Sequence, residues 1–278
     1  MMELISFDRS PFSQRAKWAL DVIAARGGPP YTTSAYPFSP FPAALLPLRL
    51  RIGKLRGRVT APILLTSPGA PDNEVIMDST AIARWADARG GGATGKGGSL
   101  FPPEHEQELE RWVTAANNLV SLFRRELTAA GIGDASVRDA LLPPNIGQGV
   151  TRDVMRRLHA GVLTRLQQKF REDDAGASEE KVRAHLTAAR ERLAGAGSGR
   201  LLLGAAGGLT YADIALAVSI GRVAQVRELP LTYKVPPGSG LTVASRMPAV
   251  GRLLGEFPDL VEWAAETKKS HWPRLAAA

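Results

Sequence analysis

A run of small residues, Gly90-Gly91-Gly92-Ala93-Thr94-Gly95-Lys96-Gly97-Gly98-Ser99, interrupts this chain and separates two textures of sequence. Over residues 1–90, short β-like runs alternate with helical ones; from Pro103 onward the periodic segments are helical. One layer architecture does not accommodate both patterns. The chain therefore reads as an α/β domain over 1–90, a flexible Gly-rich linker over 91–102 and an all-helical, bundle-like domain over 103–278. Gly90, Gly95 and Lys96 also have the spacing of a phosphate-binding loop, but Gly97 stands where a Ser or Thr is required and the segment follows a helix instead of a strand.

In the first part, Leu4-Ile5-Ser6-Phe7 reads as a strand and residues 11–25 as a helix with Ala16, Ala19, Leu20 and Ile23 on its core side. Tyr31 to Tyr36 is a weaker strand, and residues 40–55 are helical but interrupted by Pro42 and Pro47. Two strands, Ile63–Leu65 and Val75–Met77, flank a Ser-Pro-Gly-Ala-Pro-Asp-Asn turn, and a helix from Thr80 to Ala88 closes the unit. The order β-α-β-α-β-β-α is a crossover followed by a hairpin, which gives a mixed sheet with helices on both faces.

In the second part, residues 104–130 carry Leu109, Trp112, Ala116, Leu119, Phe123 and Leu127 on one stripe, so Trp112 and Phe123 read as core. Between Arg152 and Arg171, Met155, Leu158, Val162, Leu166 and Phe170 recur at three- and four-residue steps, predicting an amphipathic helix with a solvated basic face. Residues 178–193 follow, with Glu179 and Glu180 placed favourably for the helix dipole. Thr210 to Val226 is apolar nearly all round and is expected to be the buried central helix. Residues 246–256 and 260–268 complete the helical part.

Composition narrows the chemistry. With no cysteine, disulfides, a protein thiolate nucleophile and Cys-ligated metals are excluded. The four histidines (His105, His159, His185, His271) are far apart, so no metal site is expected. Thirty-five Lys and Arg against 27 Asp and Glu leave a net charge of +8, while aromatics at 6% are too sparse for a nucleic-acid surface. The charge suits solubility or a small anionic ligand. The N-terminus lacks the features of a signal peptide and no run reaches the length of a membrane span, so a cytoplasmic protein with no membrane partner is expected.

Three short pieces attract chemical attention. Ser10-Pro11-Phe12-Ser13 joins the first strand to the first helix. Ser10 before a proline is a preferred N-cap arrangement, and the same geometry sets a hydroxyl beside free N–H groups and a positive dipole end, where an anion is held. Val59-Thr60-Ala61-Pro62-Ile63 opens a strand with a proline, either as an edge feature or as a cis Ala61–Pro62 bond at a cleft. Met77-Asp78-Ser79-Thr80 begins a helix, either as a cap or as a site where Ser79 meets a carboxylate and Asp78 an ammonium.

Taken together, Ser-Pro-Phe-Ser at the first helix, Ala-Pro before the third strand and Asp-Ser before the third helix resemble the glutathione transferase superfamily. Leu209-Thr210-Tyr211-Ala212-Asp213-Ile214-Ala215 resembles that family's capping box on its buried helix, a folding element in which Thr210 and Asp213 satisfy each other and Leu209 and Ile214 staple the first turn. The resemblance implies a thioredoxin-like N-terminal domain with a mixed four-stranded sheet, followed by an all-helical domain. It implies a serine-type site in which the Ser10 hydroxyl donates to the sulfur of glutathione, the co-substrate, favouring the thiolate for attack on a small hydrophobic electrophile. Phe12 and Ser13 are implied beside Ser10, Ala61 and Pro62 at the cysteinyl backbone, and Asp78 and Ser79 at the γ-glutamyl end. Asp78 is shorter than the family's usual Glu or Gln. Lys54 or Arg58 is the candidate for the glycyl carboxylate, in a stretch from Pro37 to Arg58 that departs from the family's second helix. The absence of a cysteine at Ser10 or Ser13 excludes reductase chemistry through a protein–glutathione mixed disulfide. The electrophile pocket is expected between the domains, lined by Phe12, the Tyr36–Phe41 loop and the first long helix of the second part. A homodimer is expected, and a non-catalytic binding or scaffold protein on the same fold is the alternative.

Overall fold

The computed structural model describes residues 1–37, 42–90, 98–142, 149–195, 200–203, 208–236 and 238–273. Most of the Tyr36–Phe41 loop and of the Gly-rich linker lies outside these residues. Two compact units are formed, one from residues 1–114, 189–218 and 262–278, the other from residues 115–188 and 219–261.

The first unit holds the sheet. Its elements in chain order are β1 (Met2–Ser6), α1 (Pro11–Ala25), β2 (Tyr31–Ala35), a 3-10 turn (Pro42–Leu45), α2 (Leu46–Arg51), β3 (Ile63–Leu65), β4 (Val75–Met77) and α3 (Ser79–Gly90). This is the β-α-β-α-β-β-α order expected from the sequence. The sheet runs β2-β1-β3-β4, with β1 and β2 parallel and the other two pairings antiparallel. That mixed four-stranded topology is thioredoxin-like.

Below one face, Ile5, Leu48, Ile52, Val59, Ile63 and Leu65 form a continuous apolar cluster. Helix α1 buries Ala16, Trp18, Ala19, Leu20, Val22 and Ile23 and packs against α3. The two helices approach so closely at Gly90 that a Cβ there would lie 2.7 Å from Ile23 Cγ2 and 2.8 Å from Gly28 Cα. Gly90, at the border of the run taken for linker, is thus the last packed residue of α3. The end of the last helix, α10 (Pro258–His271), also docks on α1. Trp272 stacks on Trp18 with ring centroids 5.3 Å apart, and its Nε1 donates to Asp21 Oδ2 over 2.7 Å. Trp18 Nε1 in turn donates to the His271 carbonyl.

The remaining helices are α4 (Glu106–Gly133), α5 (Ala135–Leu141), α6 (Val150–Ala175), α7 (Glu179–Ala194), α8 (Tyr211–Arg227) and α9 (Pro248–Glu256). Trp112 and Phe123 on α4 are buried, as their stripe predicts. Helix α8 buries Tyr211, Ile214, Leu216, Val218, Ile220, Val223 and Val226, which fits its all-round apolar sequence.

Helix α6 keeps most of its basic face solvated, with Arg157, Arg165, Lys169 and Arg171 exposed, but Arg156 departs from it. Its buried residues are Arg156, Leu163 and Asp174, whereas Val150, Val154 and Leu158 are exposed. The physical cause lies on short α5, which the periodicity did not reveal. There the buried Asp139 accepts from Arg152 Nε over 2.7 Å and from Arg156 Nη2 over 2.7 Å, and the Arg156 guanidinium lies 3.4 Å from the Tyr233 ring centroid. Pairing and stacking let a guanidinium occupy a buried position although its charge assigns it to solvent.

Burial pushes the Asp139 carboxyl up, but hydrogen bonds from Arg152 and Arg156 outweigh it and hold the group below the ordinary range. A depressed folded value contributes stability that is present above the unfolded value of about 3.9 and lost as pH falls through the folded one. Asp139→Asn is therefore expected to cost about 3 kcal/mol near neutrality, because it removes the buried carboxylate that Arg152 and Arg156 share and leaves Arg156 with only the exposed Asp153 as its anion. The difference from wild type in urea unfolding is expected to shrink toward acid. A constant difference across pH would refute the ionic origin.

Candidate functional site

Register alone brings the three singled-out pieces together. Ile5 of β1 pairs with Ile63 of β3, and Ile63 pairs with Met77 of β4, so these residues form one row across three adjacent strands. From that row β1 runs out toward Ser10, β3 is entered from Ala61–Pro62, and β4 runs out into Asp78–Ser79. All three segments leave the sheet at the same end, on neighbouring strands about 4.8 Å apart. Tyr36 joins them, since β2 ends beside β1 and the Tyr36 N–H donates to the Ser6 carbonyl over 2.7 Å.

Ser10 is half-buried and caps α1 from an extended conformation (φ −83°, ψ 126°). Its Oγ accepts from the Ser13 N–H at 3.4 Å, the long limit of a hydrogen bond. That bond uses an acceptor lone pair and leaves the O–H as a donor. Phe12, two residues on, is half-buried, with the Arg15 guanidinium 4.9 Å from its ring centroid. Ser13 departs from the picture of an open contact. It is 1% exposed and its Oγ accepts from the Phe7 N–H over 3.1 Å, so its hydroxyl fixes the β1–α1 turn.

The Ala61–Pro62 bond is cis, with Ala61 half-buried and Pro62 buried. Asp78 is exposed at a φ of 132°, a region that L residues seldom occupy. Its Oδ1 accepts from the N–H groups of Thr80 and Ala81, each at 2.9 Å, so it caps α3 while its second oxygen remains available at the surface. Ser79 is 1% exposed, and its side chain is hydrogen-bonded to the Tyr211 hydroxyl. The Thr80 hydroxyl stands 3.5 Å from the same phenol oxygen.

Lys54 and Arg58 lie in the loop between α2 and β3, the first half-buried and the second exposed. The loop is organised by Arg49, whose guanidinium donates to the carbonyls of Lys54, Leu55 and Gly57. Tyr36 adds a hydrogen bond from its hydroxyl to the Val59 carbonyl at 3.0 Å. These contacts hold the chain that leads into Ala61.

Two buried residues next to the site, Arg15 and Tyr211, have no role assigned to them from the sequence. Arg15 is fully buried on α1, and burial pushes its pKa down to about 10, against the opposing pull of Tyr211 and Asp78, so it stays cationic near neutrality. Tyr211, the first residue of α8, is also fully buried; burial pushes its phenol up, more strongly than Arg15 and the bonds from Ser79 and Thr80 pull it down. The signal for Arg15 is its place on the apolar stripe of α1, three and four residues before Trp18 and Ala19. A cation on a core stripe needs an anionic or polar neighbour. Tyr211 stacks on Phe101 at 5.0 Å, and its N–H donates to the Leu100 carbonyl. Of the capping box, the half made by Asp213 is formed, with its Oδ2 accepting from the Thr210 N–H and hydroxyl.

A thioredoxin-like sheet with cap residues and a cis-proline gathered at one end, followed in sequence by helices, defines the class of protein. Residues 4–94 match the family model described as glutathione S-transferase, N-terminal domain. No curated protein matches the chain by sequence. Among solved structures, the chain is similar to glutathione transferase GSTFuA3 from Phanerochaete chrysosporium, at 17% identity over 95% of this chain and 96% of that one, with a TM-score of 0.50. It is also similar to Leishmania TDR1, described as a unique trimeric glutathione transferase, at 18% identity over 99% of this chain and 44% of that one, with a TM-score of 0.50. Residues 4–94 therefore carry the sequence of a glutathione S-transferase N-terminal domain, and the chain shares its fold with these solved structures.

Proposed function

We propose that the protein is a glutathione-dependent transferase with a serine-type site, working as a cytoplasmic homodimer. The observation that carries this reading is the Ile5–Ile63–Met77 row, which gathers Ser10, Ala61–Pro62 and Asp78–Ser79 at one sheet end. In this reading the Ser10 O–H donates to the glutathione sulfur, and the α1 N-terminus adds a favourable dipole. A free cysteine thiol has a pKa of about 8.5, so a donor that favours the anion raises the thiolate fraction near neutrality. With the thiol proton released to solvent, the thiolate's electron pair forms a carbon–sulfur bond with a bound electrophile. The electrophile's leaving group departs with its bonding pair, or its π pair moves to the adjacent atom and is protonated by solvent. The Ala61 backbone meets the cysteinyl segment. Asp78 offers its surface oxygen to the γ-glutamyl ammonium, and Ser79 offers its N–H to the carboxylate. Lys54 or Arg58 takes the glycyl carboxylate. Phe12 forms one wall, with Ser13 as a support for the turn. The division into 1–90 and 103–278 belongs to the same proposal.

Calorimetry with glutathione, followed by assay with a generic electrophile, tests the reading. Binding in the micromolar to low millimolar range together with turnover is expected; no binding at millimolar glutathione would overturn it. A second reading, a binding protein without turnover, is favoured by the Ser10–Ser13 bond, which is an ordinary cap contact. Binding without turnover would select it.

A further inference from the structure

Helix α2 is apolar on two sides, of which one is covered. Leu48 and Ile52, four residues apart, are buried in the cluster beneath the sheet. Leu46 and Leu50, also four apart, are 52% and 62% exposed, and Leu55 in the following turn is 61% exposed. The turn is held in place by the three hydrogen bonds from Arg49, and Arg51 is paired with Glu3. These leucines are therefore presented on an ordered support.

The charges that this stretch of chain carries have one sign. Arg49, Arg51, Lys54, Arg56 and Arg58 fall within ten residues, and no Asp or Glu occurs from Val22 to Pro71. We propose that this face docks on an anionic membrane surface. Leu46, Leu50 and Leu55 enter the boundary between headgroups and acyl chains, with Arg56 at the lipid phosphates. A nucleic acid would be met by aromatic side chains, and residues 42–58 contain none. Two copies joined face to face here would oppose cation to cation. The docking is peripheral: among the described residues no helix is long and apolar enough to cross a membrane. The inference is independent of the glutathione reading.

The test is cosedimentation of the full chain with vesicles of phosphatidylcholine alone and of phosphatidylcholine mixed with phosphatidylglycerol at roughly 2:1. Binding to the mixed vesicles only is expected, lost on raising salt to about 0.5 M, where screening reaches within a few ångströms. The double variant Leu50→Ser/Leu55→Ser and, separately, Arg56→Glu are each expected to lower the bound fraction at least fivefold, with unchanged circular dichroism. Absence of binding to the mixed vesicles would overturn the proposal, as would equal binding to both. So would sedimentation in which Leu50→Ser/Leu55→Ser turns a dimer into monomers, since a second copy would then cover the face.

Discussion

Replacing Ser10 by glycine is expected to lower turnover of a generic electrophile roughly ten- to hundredfold near neutrality, with a much smaller change in glutathione affinity. A hydrogen bond to a charged acceptor contributes about 1.5–3 kcal/mol, and one pKa unit corresponds to about 1.4 kcal/mol, so its loss raises the bound thiol by about one to two units. Glycine is chosen because Ser10 also caps α1. Alanine at an N-cap costs about 1 kcal/mol of stability but glycine only a few tenths, so Ser10→Gly separates the lost donor from a frayed helix. Ser10→Thr keeps the hydroxyl and is expected to retain most activity. Ultraviolet titration of bound glutathione reads the thiolate directly. If Ser10→Gly left that titration in place, the hydroxyl would be a cap and nothing more. Parallel loss of affinity and turnover would assign it to uniform binding instead.

The parts of the site that could be read in the sequence are those decided locally. Ser10-Pro11 and Asp78-Ser79 announce helix starts because cap chemistry depends on a few successive residues, and both are caps in the structure. The short strands were legible for a similar reason, since turn residues bound them on each side. Their pairing is not local, yet the crossover and hairpin leave few arrangements for four strands. What stayed hidden depends on partners distant in the chain. Whether Ser13 and Ser79 face outward is settled by the Phe7 N–H and by Tyr211, and neither spacing nor residue type reveals that. Arg156 is buried because Asp139 and Tyr233 await it, while its neighbours Val154 and Leu158 turn to solvent. Helix α5 was missed because seven residues hold too few turns to display a period.

Asp213→Ala is expected to be among the most damaging single substitutions for stability. Its carboxylate is 0% exposed, with Oδ1 accepting from the Leu202 N–H at 2.7 Å and Oδ2 from the Thr210 N–H at 3.0 Å and the Thr210 hydroxyl at 2.7 Å. Alanine would leave the two backbone donors buried without an acceptor, at about 1–3 kcal/mol each. With the lost cap, the total is about 3–5 kcal/mol, a large part of the 5–15 kcal/mol that usually separates folded from unfolded chains. Asparagine keeps one acceptor oxygen and is expected to cost about half as much. The pH dependence differs in sign from that of Asp139. Burial raises the Asp213 carboxyl above its ordinary value despite the hydrogen bonds, so its ionisation weighs on the folded state most above the folded pKa and is relieved as pH falls through it. Asp213→Asn removes that dependence, and its deficit relative to wild type is expected to widen toward acid, where wild type is relieved and the amide is not. Thermal unfolding followed by circular dichroism checks both points. At about 2–4 °C per kcal/mol for a chain of this size, a midpoint for Asp213→Ala within about 2 °C of wild type would show that the capping box is dispensable to the fold.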